Sequence, residues 1–290
     1  MSKNHKFCEY ISETAIRSML LEVTATPKPG LVDRYNSGAH KDMDFFTFME
    51  SSASQIHTFY KCTLEGLNFD GNDNKELLNI IRPIGIEGEN KMYKATKGVN
   101  THKGLIFSLG IIAAASGLKY KETKQHKMDV DEICQKVMEI TEGITVKELG
   151  NLSHKENLTY GEELFIKHRV KGIRGEVELG FPTVRNHSLP IFKELMKGNG
   201  SLNDNLVQVL LHLMAVTEDV NILGRHGLEQ LEYVKAEAKA ALALGGMFAE
   251  EGRKKIFKMD EEFIEMNISP GGSADLLAVT LMLYLLENTL

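Results

Sequence analysis

The chain has no tryptophan and only three cysteines, Cys8, Cys62 and Cys134, none in a Cys-x-x-Cys pair. An odd, scattered set of thiols supports neither a disulfide framework nor a zinc knuckle, and reduced thiols are the default in a cytoplasmic protein. Long apolar runs are missing as well. The longest, such as residues 276–286, is too short and interrupted to span a bilayer, and the opening MSKNHKFCEY lacks the apolar core of a signal peptide. A cytoplasmic protein with no membrane partner is therefore expected. Positive charge is not in excess: the formal net charge is −6, which argues against a broad nucleic-acid-binding face but leaves room for a local basic cluster around a small anion. HExxH, GxSxG, GxxxxGK[ST] and GxGxxG are all absent, so zinc proteolysis, serine hydrolysis, a P-loop and a Rossmann nucleotide site have no support.

What is present is helical. Hydrophobic residues make up 42% and charged residues 26% of the 290, an ordinary soluble balance, and 13 methionines suggest a core of aliphatic and thioether side chains. No convincing period-two alternation and no tandem repeat emerges. Ile11, Ala15, Met19 and Val23 fall on one face of a helix over 9–25. Asp44 is placed to cap a helix running to about Gly66. Residues 75–97 are helical in composition but carry Pro83, Gly85 and Gly88, which predict a break or kink. Further helices are expected from Asn100 or Thr101 to Leu118, then over 130–149, 160–170, 183–197, 201–217, 225–244, 247–265 and at the C-terminus, with a charged linker at 119–129 and a polar connection at 151–159. The sum is one all-α domain of about ten helices across residues 1–290.

Five polar segments interrupt these helices. In TPKPGLVDRYNSGAHKDM, residues 26–43, two prolines remove backbone donors and hold Thr26 and Lys28 extended, while Lys28, Asp33, Arg34, Asn36, His40, Lys41 and Asp42 crowd charge into one loop. Such a loop is either a surface turn or a site. In NTHKG, residues 100–104, His102 and Lys103 bring positive groups to the positive end of a helix dipole, a cost of about 0.3–1 kcal/mol that a bound phosphate would remove. In GIRGEVELGF, residues 172–181, Arg174 and Glu178 pair if the segment is helical, whereas Glu176 and Glu178 share a face if it is extended. TEDVNILGRHG, residues 217–227, sets Glu218, Asp219 and Asn221 before Arg225, a cluster that suits either Mg²⁺ or helix capping. SPGGSADLL, residues 269–277, resembles a phosphate-cradling turn with Gly271, Gly272 and Ser273 at a helix start, where Asp275 is either a ligand or a dipole-complementing carboxylate.

Taken in order, these five segments resemble the successive motifs of the triphosphoribosyl-dephospho-CoA synthases, from about residue 14 to the C-terminus. The resemblance implies a helical enzyme that attaches the triphosphoribosyl group of ATP to the 2′-hydroxyl of 3′-dephospho-CoA and releases adenine. The product would be the precursor of the citrate lyase or malonate decarboxylase prosthetic group, passed on to a holo-transferase for the acyl-carrier subunit. The one departure is His226, where the family pattern leads us to expect glycine after Arg225.

That chemistry divides the polar residues by task. Lys28, Arg34, Asn100, Thr101, His102, Lys103, Arg174, Arg225, Gly271, Gly272 and Ser273 are expected to hold the phosphates, together with Mg²⁺. Glu176, Glu178 and Asp33, in that order, are the expected carboxylates for taking the hydroxyl proton and facing the cationic sugar; His40 or Asp42 would assist the departing purine. Asp219 and Asp275 are the expected metal or water-shell ligands. Two other readings are a Mg²⁺-dependent N-glycoside hydrolase, with water in place of the acceptor, and a non-catalytic nucleotide-binding scaffold. The apolar C-terminal helix is expected to bury itself internally or against a second copy, giving a homodimer.

Overall fold

A computed structural model describes residues 3–150, 158 and 160–288. Among them are fifteen α-helices and no strand. In chain order these are α1 (Lys3–Thr24), α2 (Phe45–Ala53), α3 (Ile56–Asn68), α4 (Lys75–Ala95), α5 (Lys103–Thr123), α6 (Val130–Thr141), α7 (Ile144–Leu149), α8 (Tyr160–His168), α9 (Gly172–Glu178), α10 (Leu189–Leu195), α11 (Leu202–Met214), α12 (Val220–His226), α13 (Leu228–Ala243), α14 (Glu250–Glu265) and α15 (Gly271–Glu287). A π-helical turn at Val184–Ser188 leads into α10, and a 3₁₀ turn at Gly246–Phe248 precedes α14. The connection expected at 151–159 lies outside the described residues apart from Leu158.

Two helices carry the core. Between Gly104 and Leu118, α5 has no charged residue and is buried on every side, and α15 is likewise enclosed from Leu276 to Leu283. A helix apolar all round belongs inside a protein. α3 lies directly on α5: a Cβ at Gly66 would sit 2.0 Å from the Ala114 carbonyl oxygen, so only glycine admits this approach. α15 is thus buried within its own chain, which answers the expectation that it either packs internally or forms a dimer surface. No helix among the described residues is long and apolar enough to cross a membrane.

Several expected helix boundaries are corrected. The helix expected from Asp44 to Gly66 begins as foreseen, with a capping box between Asp44 and Thr47, but divides at Ser54 and Gln55. There the side chains of Ser52 and Ser54 bond to carbonyls at Phe48 and Ser51, and local bonds of this kind compete with helix continuation. The break expected around Pro83 does not occur: α4 runs through it. Pro83 and Asn79 both lie on the exposed face, where water can satisfy the carbonyl left without a donor. Residues 130–149 form two helices, because Gly143 adopts φ +76°. The charged segment after Leu118 is still helical to Thr123, and the helix expected over 225–244 divides at Gly227 into α12 and α13.

Candidate active site

One cavity of ≈ 380 Å³ opens where the C-terminus of α1, the 26–43 loop, α12 and the N-termini of α5 and α15 meet. Its wall includes ten of the eighteen residues expected at the site: Lys28, His40, Asp42, Asn100, Thr101, His102, Lys103, Arg225, Gly271 and Asp275. Three residues distant in sequence, Lys28, Lys103 and Asp275, therefore share one space.

The loop reaches this position because it is bonded throughout its length. Asp33 accepts from the backbone N–H of Lys28 at 3.0 Å, Tyr35 at 2.6 Å and Asn36 at 3.0 Å. From α14, Asp260 accepts from the Gly30 N–H at 2.9 Å and from Asn36 Nδ2 at 2.7 Å. Lys28, only 1% exposed, turns inward and donates from Nζ to Glu22 Oε1 at 2.5 Å. Burial pushes the Glu22 carboxyl upward, and Lys28 opposes that rise.

Asp275 lies across the cavity on the first turns of α15. It has no hydrogen bond or ion pair among the described residues, and its Oδ2 stands 2.8 Å from where a Cβ on Gly104 would be, against the N-terminal turn of α5. Burial, with Glu22 and Asp219 nearby, raises its carboxyl well above the usual aspartate range. An unpartnered carboxylate in such a place is costly unless a proton or a cation joins it.

The cations divide into two sets. Lys28 is paired with Glu22, and Lys103, at the exposed rim, reaches Glu89 at 3.1 Å. Lys41 and Arg225 also line the cavity and make no ion pair among the described residues. His40 bonds through Nε2 to Ser269 Oγ at 2.9 Å; burial and then Arg225 lower its pKa, with Asp42 opposing. His102, 2% exposed, is held at about 3 by burial and by Lys28. It is a neutral imidazole, which corrects the expectation of a positive group at this helix end. Thr101 does not cap α5: Asn100 Oδ1 takes the Lys103 N–H at 3.2 Å, while Thr101 Oγ1 turns to Ser51.

Eight expected residues do not line the cavity, and each is engaged elsewhere. Asp33 spends its oxygens on the loop's own amides. Arg34 donates from Nε to the Thr24 carbonyl at 2.6 Å and from a terminal nitrogen to Asn203 at 2.9 Å. Arg174 pairs with Glu148 at 2.6 Å, and Glu178 accepts from the Thr145 hydroxyl and backbone. Glu176 accepts from Thr183 Oγ1 at 2.6 Å and from its N–H at 3.3 Å, tying α9 to the turn that follows. Asp219, placed among the metal ligands on sequence grounds, is 2% exposed and accepts from Asn221 N–H at 3.0 Å and from Ser273 N–H at 2.9 Å. Its lone pairs serve α12 and α15, not a metal. Ser273 sits inside the first turn of α15 rather than capping it, and Gly272 packs against Asp219. His226 donates to the Asn267 carbonyl at 2.9 Å, a structural bond between α12 and the loop before α15.

Sequence reasoning missed Glu22, Ser51, Phe48 and Ser269. Glu22 carried a signal: it lies four residues after Ser18 and seven after Ala15, on the buried stripe of α1, where a carboxylate needs a partner. Ser51, in a small polar run, carried none.

A family model for CitG, ATP:dephospho-CoA triphosphoribosyl transferase, matches residues 8–290. A Klebsiella pneumoniae protein named 2-(5''-triphosphoribosyl)-3'-dephosphocoenzyme-A synthase is 40% identical over 275 residues, covering 94% of this chain and 89% of that protein. A Malonomonas rubra protein bearing the same name, qualified as probable, is 42% identical over 274 residues, covering 94% of this chain and 86% of that one. A solved structure from Archaeoglobus fulgidus carrying the same family name aligns with a TM-score of 0.48 at 19% identity, over 83% of this chain and 99% of that chain. The chain belongs to the ATP:dephospho-CoA triphosphoribosyl transferase family.

Proposed function

We propose that this chain transfers the triphosphoribosyl group of ATP to the 2′-hydroxyl of 3′-dephospho-CoA, releases adenine, and does so in the cavity between α1, α5, α12 and α15. The observation that carries the reading is the pairing of opposites in one space: unpaired cations at Lys41 and Arg225 beside an unpaired carboxylate at Asp275. A triphosphate needs the first, held by charge-assisted bonds, and a sugar that becomes cationic needs the second.

We assign the proton-accepting role to Asp275, in place of Glu176, Glu178 and Asp33, whose oxygens are already bonded away from the cavity. A raised carboxyl suits a general base near neutral pH. It takes the 2′-hydroxyl proton as that oxygen bonds to C1′ of the ATP ribose and the bond from C1′ to the purine breaks. One displacement of this kind inverts the β-configured carbon to an α-linkage. His40, bonded to Ser269, faces the departing purine.

Mg²⁺ fits this site only as a companion of the triphosphate. The described residues contain no group of three or more His, Cys, Asp or Glu side chains able to hold an ion, and Asp219 is saturated. Mg²⁺ is commonly held largely by water and substrate phosphates, where it neutralises charge. The product passes to a holo-transferase acting on an acyl-carrier subunit of citrate lyase or malonate decarboxylase.

The test is incubation with ATP, Mg²⁺ and 3′-dephospho-CoA, with chromatography for free adenine. Adenine that appears only with the acceptor supports transfer. ADP or inorganic phosphate in its place overturns it, and adenine released without the acceptor identifies a hydrolase. Asp275→Asn is expected to lower kcat by about 10²–10⁴-fold.

A further inference from the structure

His102 has two ring nitrogens in different situations. Nδ1 lies 2.7 Å from Ser51 Oγ on α2, whereas Nε2 is buried and has no hydrogen-bond partner in the protein. The residue is 2% exposed and belongs to the cavity wall, with Phe48 standing edge-on to the ring at 4.9 Å. A buried ring nitrogen left without a partner is a costly feature, and because His102 lines the cavity a ligand there can supply one.

The hydroxyls behind the ring determine which nitrogen carries the proton. Thr101 Oγ1 donates to Ser51 Oγ at 2.7 Å, and Ser51 is itself fully buried. A serine hydroxyl has one proton. With Ser51 accepting from Thr101, that proton is free to go to Nδ1, and both the Ser51 hydroxyl and Nδ1 are matched. The opposite arrangement, with Nδ1–H donating, would give Ser51 two donors and leave its own buried proton without an acceptor. The neutral imidazole therefore carries its hydrogen on Nε2.

We propose that Thr101, Ser51 and His102 form a fixed relay in which Ser51 is the positioning residue, holding His102 as an uncharged Nε2–H donor to a phosphoryl oxygen of the nucleotide. A phosphoryl acceptor is favoured over the purine by the surroundings: His102 stands at the N-terminus of the 21-residue α5, next to Lys103, with Lys41 and Arg225 on the same cavity. The helix end and these cations both draw negative charge there. The inference deepens the transfer reading by naming how one part of its phosphate site is held. Its test does not depend on turnover.

Protein labelled with ¹⁵N-histidine is examined by long-range ¹H–¹⁵N correlation at pH 7, with the His102 signals assigned by their loss in His102→Gln. The wild type is expected to show a protonated Nε2 and an unprotonated Nδ1. Ser51→Ala is expected to mix the tautomers, and Thr101→Val, which frees the serine hydroxyl to rotate, to do the same less completely. Inorganic triphosphate is expected to shift the Nε2–H resonance, and adenosine to leave it in place. In steady-state assays Ser51→Ala is expected to raise KM for ATP by about ten- to a hundredfold with kcat nearly unchanged, since a phosphate is held alike before and during the displacement. A wild-type ring protonated on Nδ1 or on both nitrogens, an unchanged tautomer in Ser51→Ala, or a shift with adenosine and none with triphosphate would each overturn the proposal. Adenine release with an Nδ1-protonated ring would sink the relay and leave the transfer reading intact.

Discussion

Lys28→Met tests the electrostatic arrangement at the base of the cavity. The Lys28 and Glu22 side chains are 2% and 3% exposed, so removing the ammonium leaves a carboxylate with neither water nor a counter-ion. Breaking one side of a buried pair typically costs about 3–5 kcal/mol. For a chain of 290 residues, an unfolding entropy of about 2.1 cal/mol/K per residue gives about 0.6 kcal/mol/K, so Tm falls by about 5–8 °C. The loss has a definite pH dependence. Burial already raises the Glu22 carboxyl, and without Lys28 it rises further. A carboxyl that titrates higher in the folded than in the unfolded state binds its proton preferentially when folded. Stability is then fully present below the unfolded value of about 4.3 and declines as pH rises through the folded one. Differential scanning calorimetry should therefore find a small deficit at pH 4 and the full deficit at pH 8, with Glu22→Gln/Lys28→Met recovering most of it. A deficit under about 2 °C, or one equal at both pH values, would refute a buried, interdependent pair.

Asp275→Asn removes a carboxyl whose pKa is raised by burial, Glu22 and Asp219, so by the same sign the ligand-free variant should melt higher than wild type at pH 8, with the difference closing near pH 4, even though transfer is slowed. Gly66→Ala places a methyl group 2.0 Å from the Ala114 carbonyl oxygen and should separate α3 from α5; a drop in Tm of several degrees, or failure to accumulate as folded protein, is the expected reading by circular dichroism. Lys41→Ala and Arg225→Ala should raise KM for ATP and weaken its salt dependence, with melting temperatures close to wild type, because neither makes an ion pair among the described residues. Glu176→Gln should lower Tm through its bonds to Thr183 while retaining measurable adenine release; complete loss of release in a folded variant would return Glu176 to the chemistry.

Helix content was legible in the sequence wherever one face was continuously apolar. The stripe Ile11, Ala15, Met19, Val23 is fully buried on α1, and the uncharged run from Leu105 to Leu118 is the central helix. Breaks were less legible because they depend on local competition: Gly143 ends a helix, whereas Pro83, on an exposed face, does not. Within the site, the loop, the α5 start and the α15 start were identified by residue type, since prolines, glycines and clustered charge have few other uses. Their partners were not. Nothing in the spacing says that Asp219 would be consumed by Ser273, 54 residues away, or Glu176 by Thr183.

The sequence alone determined that this chain would be helical, which of its segments carry polar chemistry, and, through the order of those segments, to which family it belongs. The first two follow from local periodicity and composition, and the third from the resemblance of the ordered motifs to that family's. Tertiary structure decided which charges remain available. Asp33, Asp219, Glu176 and Glu178 spend their oxygens on the fold, while Asp275 keeps its own for the cavity, and Glu22 and Ser51 enter the site from helices that the motifs do not include. A carboxylate's role depends on which donors packing brings within about 3 Å, and those donors come from parts of the chain that only folding places together.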